Sequence, residues 1–108
     1  MIYIDFVKNI EGDLLGFYMK GHSGFNFVGE DIVCAAVSSA AYMVANAITD
    51  VLNIDADVFV SEGRMHVLLD DTYAHRCKDL LLGLMLHLSS LQEQYPENIN
   101  INCSSVEQ

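Results

Sequence analysis

The chain opens on a strict alternation, with Ile2, Ile4 and Phe6 on one side and Tyr3, Asp5 and Val7 on the other. A period of two marks a half-buried strand, because successive side chains of an extended backbone point to opposite faces. Asn9, Glu11, Gly12 and Asp13 supply turn chemistry, and Leu14 to Lys20 follows as the second strand of a hairpin. From Gly21 to Glu30 the periodicity dissolves, and Gly21, Gly24 and Gly29 predict a mobile loop. A helix is expected from Asp31, as its N-cap, to about Leu52. Its Ala35, Ala36, Ser38, Ser39, Ala40 and Ala41 are small enough to let a neighbouring backbone approach closely.

Ala56–Ser61 and Arg64–Leu69 are rich in Val, Phe and Leu, and Glu62-Gly63 between them predicts a two-residue hairpin turn. A second helix is predicted from about Thr72 to Gln94, capped by Asp70 or Asp71. Tyr73, Cys77, Leu80, Leu81, Leu84, Leu88 and Leu91 share its core-facing stripe. Leu82 and Leu86 lie off that stripe and form a second apolar face for a partner subunit. Tyr95-Pro96 ends the helix. In the last strand, Asn98 to Cys103, the residues Ile99, Ile101 and Cys103 should face inward. The order ββαββαβ predicts an α+β two-layer sandwich, one five-stranded sheet with two helices on one face, and leaves strand order open. With 108 residues and no linker, residues 1–108 are expected to form a single domain.

Charge narrows the function. A formal net charge of −10, with five Lys plus Arg, argues against direct nucleic-acid binding and favours basic partners. Asp5 stands where a secretory signal would be basic, and no apolar run is expected to span a bilayer, which implies a cytoplasmic protein without membrane contact. The odd, widely spaced set Cys34, Cys77 and Cys103 reads as free thiols.

One stretch, Gly21 to Ser38, carries chemistry. Cys34, three residues after the expected cap, would sit in the first helical turn, where unpaired N–H groups favour a thiolate and can hold an oxyanion. His22 lies twelve residues upstream, at the mouth of the loop, and can fold back as the base. Asp31 is either a cap alone or a group that also orients His22. Phe25 and Phe27 either line substrate pockets on a closing lid or anchor a static loop. On the residues alone, an inert core thiol and a solvated loop histidine stand level with a catalytic dyad. No cofactor is implied, and a metal site is not expected. His75 and Cys77 would point about 200° apart on a helix, and no pair has structural-zinc spacing.

Gly21-His22-Ser23-Gly24 followed by Gly29-Glu30-Asp31-Ile32-Val33-Cys34-Ala35-Ala36-Val37-Ser38 closely resembles the signature of the Prp family, the ribosomal-processing cysteine proteases. The resemblance extends over the whole chain, more weakly through Leu91-Gln92 and Tyr95-Pro96-Glu97-Asn98-Ile99. It places the family's catalytic histidine and cysteine on His22 and Cys34, while Gly21, Phe25, Phe27 and Ser38 of the same stretch are expected from their positions to contact substrate. What it implies is an endopeptidase that removes the N-terminal extension of the large-subunit ribosomal protein numbered twenty-seven, cutting after paired aromatic residues. It also implies a homodimer, with a loop that orders over the active site when substrate binds. A basic ribosomal protein precursor suits the acidic chain. The alternative is a ribosome-associated binding protein without catalysis, for which an apolar face and an acidic surface would suffice.

Overall fold

The computed structural model describes residues 1–21 and 28–106, with backbone alone for 28–31. Five strands form one mixed sheet: β1 (Ile2–Lys8), β2 (Leu14–Lys20), β3 (Asp57–Ser61), β4 (Arg64–Leu68) and β5 (Ile99–Ser105). Their order is β3-β4-β2-β1-β5. All neighbours are antiparallel except β1 and β5, which run parallel because the chain returns to β1 through a long helix. That helix, α2 (Lys78–Gln94), and the earlier α1 (Val28–Asn46) cover one face of the sheet.

The alternation in β1 resolves as expected. Ile2, Ile4 and Phe6 are buried beneath the helices, while Tyr3 is exposed on the opposite face. The turn after β1 is organised by Asn9, the buried polar residue of this region. Its Oδ1 accepts the Glu11 and Asp13 N–H groups, and its Nδ2 donates to Asp71 Oδ1 at 2.7 Å. One side chain thus closes the hairpin and ties it to the chain before α2. The β1–β2 register slips between Val7 and Lys8, leaving Leu15 as a bulge. The bulge demands Gly16, whose φ is +151° and whose missing Cβ would collide with the Val67 carbonyl oxygen of β4.

The helices differ from expectation in three ways. α1 starts at Val28, not after Asp31, so Val28 to Glu30 are helical and Asp31 is its fourth residue. Gly29 costs little in a first turn, whose N–H groups have no intrahelical partners in any case. α1 then widens into a π-type turn at Ala47–Val51, close to the expected end. Secondly, Asp70 caps a short 3-10 turn, Asp71–Tyr73, and α2 begins only at Lys78. The apolar spacing continues through both pieces, so Cys77, Leu81, Leu84 and Leu88 are buried as one stripe. Thirdly, Ile32–Val51 is long and apolar enough to cross a membrane by length and composition, contrary to the sequence reading. In the fold it is amphipathic: Val33, Val37, Ala41, Val44 and Ile48 are buried at helical spacing against the sheet.

Cys103 also departs from expectation, because it is exposed. Gln92, near the end of α2, accepts the Ile101 N–H through its Oε1 at 2.8 Å. Beyond that bond β5 outruns the helix, so inward direction no longer means burial. Leu82 and Leu86 are exposed, as the pattern implied. The small residues of α1 border an open groove of about 620 Å³ facing Gly83 and His87 of α2.

Candidate active site

Cys34 lies on the α1 stripe that also carries Ser38 and Tyr42, one turn apart. This stripe meets the sheet where β2 ends and the β3–β4 turn folds over. The resulting cavity, about 160 Å³, is lined by Cys34, Ser38 and Tyr42 from the helix, Lys20 and Gly21 from the end of β2, and Ser61, Gly63 and Arg64 from the hairpin. Met19 and Met65 form its apolar floor. Larger depressions exist elsewhere, including one of about 440 Å³ on the bare face of the sheet. None of them is lined by a cysteine, so size does not choose the site.

Gly21 is fixed by geometry. Its N–H donates to the Gly63 carbonyl at 2.9 Å, its φ is +91°, and a Cβ there would meet the Met1 carbonyl oxygen. No L side chain fits that backbone without strain. The bond holds the exit of β2 against the hairpin turn and sets Gly21 in the wall of the Cys34 cavity.

Of the expected site residues, Gly21, Cys34 and Ser38 line one cavity. His22, Phe25 and Phe27 lie outside the described residues, as does the Asp31 side chain. Asp31 stands inside α1 and is not its N-cap. Cys34 is accordingly the seventh residue of α1, about two turns from its start, and the argument from first-turn N–H groups does not apply to it. Tyr42, Lys20, Ser61 and Arg64 were missed. Tyr42 could have been found from the i, i+4 spacing with Cys34 and Ser38. Lys20 and Arg64 face each other across β2 and β4, and only the strand register brings them to the cavity.

The three thiols occupy unlike surroundings. Cys34 is half-buried in the cavity wall, Cys103 is exposed on an edge strand, and Cys77 is fully buried. Burial pushes the Cys77 thiol above its ordinary range, with Arg76 opposing weakly, which keeps it protonated and inert. Among the described residues no cluster of His, Cys, Asp and Glu could hold a metal ion.

Comparison with known proteins identifies the framework. The family model for cysteine protease Prp matches residues 1–100. The chain belongs to the Prp family of cysteine proteases. The ribosomal processing cysteine protease Prp of Staphylococcus aureus is 31% identical over 104 residues, covering 94% of this chain and 98% of that one. The crystal structure of a Staphylococcus aureus Prp with a substrate peptide superposes with a TM-score of 0.85 at 30% identity, covering 95% of this chain and 99% of the other. A second structure of that protease, with a covalently linked product peptide, gives a TM-score of 0.83 at 30% identity and the same coverage. As a Prp cysteine protease, the chain needs a thiol that a peptide can reach.

Proposed function

We propose that this chain is a cysteine endopeptidase with Cys34 as nucleophile and His22 as base, and that it removes the N-terminal extension of the large-subunit ribosomal protein numbered twenty-seven. The observation that carries the reading is the cavity holding Cys34 beside Gly21, the residue immediately before His22. Cys77 is sealed in the core and Cys103 does not line the cavity beside Gly21, so neither competes as the nucleophile of a Prp protease.

In the proposed reaction His22 takes the Cys34 proton, and the thiolate attacks the scissile carbonyl. The tetrahedral oxyanion collapses as the C–N bond breaks, and imidazolium gives its proton to the leaving amine. Water, deprotonated by His22, then releases the N-terminal fragment from the thioester. The Cys34 N–H is committed to the helix, so oxyanion donors come from the wall of the cavity. Ser38 and Tyr42 supply hydroxyls on the same stripe. The processing role follows the Staphylococcus aureus relative, named a ribosomal processing protease. An acidic chain suits a basic precursor.

The test is incubation with a synthetic N-terminal peptide of that ribosomal protein, read by mass spectrometry. A single cut that separates the extension is expected. An intact peptide after many enzyme equivalents of time, with the known relative cleaving its own peptide in parallel, would refute the substrate assignment.

A further inference from the structure

The outer edge of β3 is open: β3 ends the sheet, and among the described residues only β4 pairs with it. The two-residue turn at Glu62-Gly63 makes Ser61 and Arg64 the closing pair of the hairpin. In an antiparallel ladder this directs the backbone N–H and C=O groups of Ser61, Phe59 and Asp57 toward β4, and leaves those of Val58 and Val60 pointing outward. All five residues of β3 are exposed. Open edges of this kind are usually guarded by charge, proline or a bulge, and the strand Asp57-Val58-Phe59-Val60-Ser61 carries only a charge at its first residue.

The edge joins two features. At one end Ser61 and Gly63 line the Cys34 cavity. At the other, Asp55 and Asp57 line a depression of about 380 Å³ shared with Asp70; the Asp57 carboxylate also lies 3.2 Å from His66 Nε2, yet its side chain stays largely exposed. Four strand steps from Asp57 to Ser61 span roughly 13 Å, the length of a short extended peptide. The opposite edge of the sheet, β5, contributes nothing to the Cys34 cavity.

We infer that the substrate adds to the sheet as a strand on the outer edge of β3, hydrogen-bonded to the backbone of Val58 and Val60, with a basic side chain against Asp55 and Asp57. The inference rests on the proposed endopeptidase reading and names how that site holds its substrate. The occupant is an extended, basic peptide: a strand satisfies the open edge, and the acidic end of a chain with net charge −10 selects the sign.

The first arm of the test leaves the protein untouched. A series of the ribosomal-protein peptides, each N-methylated at one residue, would be assayed for kcat and KM. Strand addition predicts a period of two along four or five residues on one side of the scissile bond. KM should rise on the order of tenfold at positions whose N–H meets Val58 or Val60 and little at those between, with kcat nearly unchanged. A double variant, Asp55→Asn with Asp57→Asn, should raise KM for the basic peptide and not for a peptide with alanine at its basic positions. A flat or single-site N-methyl profile, with normal cleavage of the parent peptide, overturns edge docking alone. So does concentration-dependent dimerisation that Val60→Pro abolishes without altering KM, since the edge would then belong to a second copy. If the parent peptide is not cut, the endopeptidase reading and this inference fall together.

Discussion

Cys34 and Cys77 are the same side chain in opposite surroundings, and reactivity should follow the surroundings. In a Cys103→Ser background, which removes the exposed thiol, an alkylating reagent should modify Cys34 and spare Cys77 until the protein unfolds. Equal rates for both in the folded protein would contradict the site. Cys34→Ser should keep the fold and lose turnover. His22→Ala should lower kcat by about 10² to 10⁴ for a missing general base, measured on the same peptide. Near-normal turnover without His22 would mean that another group serves Cys34. The sequence separates Cys34 from Cys77, but on a first-turn position for Cys34 that the helix, starting at Val28, does not give it. Cys103 was expected inside because β5 alternates correctly, but alternation reports direction, and burial needs a helix overhead.

At the scale of elements, strands were easier to read than helix starts. The period of two in β1 and the Glu62-Gly63 turn leave one arrangement of each hairpin, since a one-residue slip would bury the wrong face. The helix starts misled for a common reason: Asp31 and Asp70 are both good caps, and sequence cannot say which turn an acid closes. Asp70 does cap, but a 3-10 turn. Its carboxyl is held below the ordinary value of 3.8 by the Thr72 N–H and then the Thr72 hydroxyl. A depressed carboxylate adds stability that is present above its unfolded pKa and fades as pH falls through the folded one. Asp70→Ala should therefore lower the unfolding midpoint at neutral pH, and its deficit against wild type should shrink below about pH 4. A constant deficit down to pH 2 would show that the charge is not involved. Gly16 gives a sharper test. Gly16→Ala must both hold a positive φ and displace the Val67 carbonyl, so it should destabilise by about 2 to 5 kcal/mol in urea unfolding. An alanine variant of wild-type stability would contradict the bulge.

At the scale of the whole molecule, the two helices spend one face on the sheet and leave Leu82 and Leu86 exposed on the other. A two-fold dimer through this face would be the closed way to cover it. Sedimentation at micromolar concentration should show a dimer that Leu86→Glu weakens to monomer, and a wild-type monomer would remove the idea. The same two-layer plan explains why the proposed active site lies at a sheet end, where α1, the exit of β2 and the β3–β4 turn converge on Cys34. That convergence can be tested directly by acid-quenching a reaction with the ribosomal-protein peptide and mapping the trapped intermediate by mass spectrometry. The account predicts the N-terminal fragment linked as a thioester to the tryptic peptide containing Cys34. A fragment linked to Cys77 or Cys103, or cleavage that persists in Cys34→Ser, would contradict it.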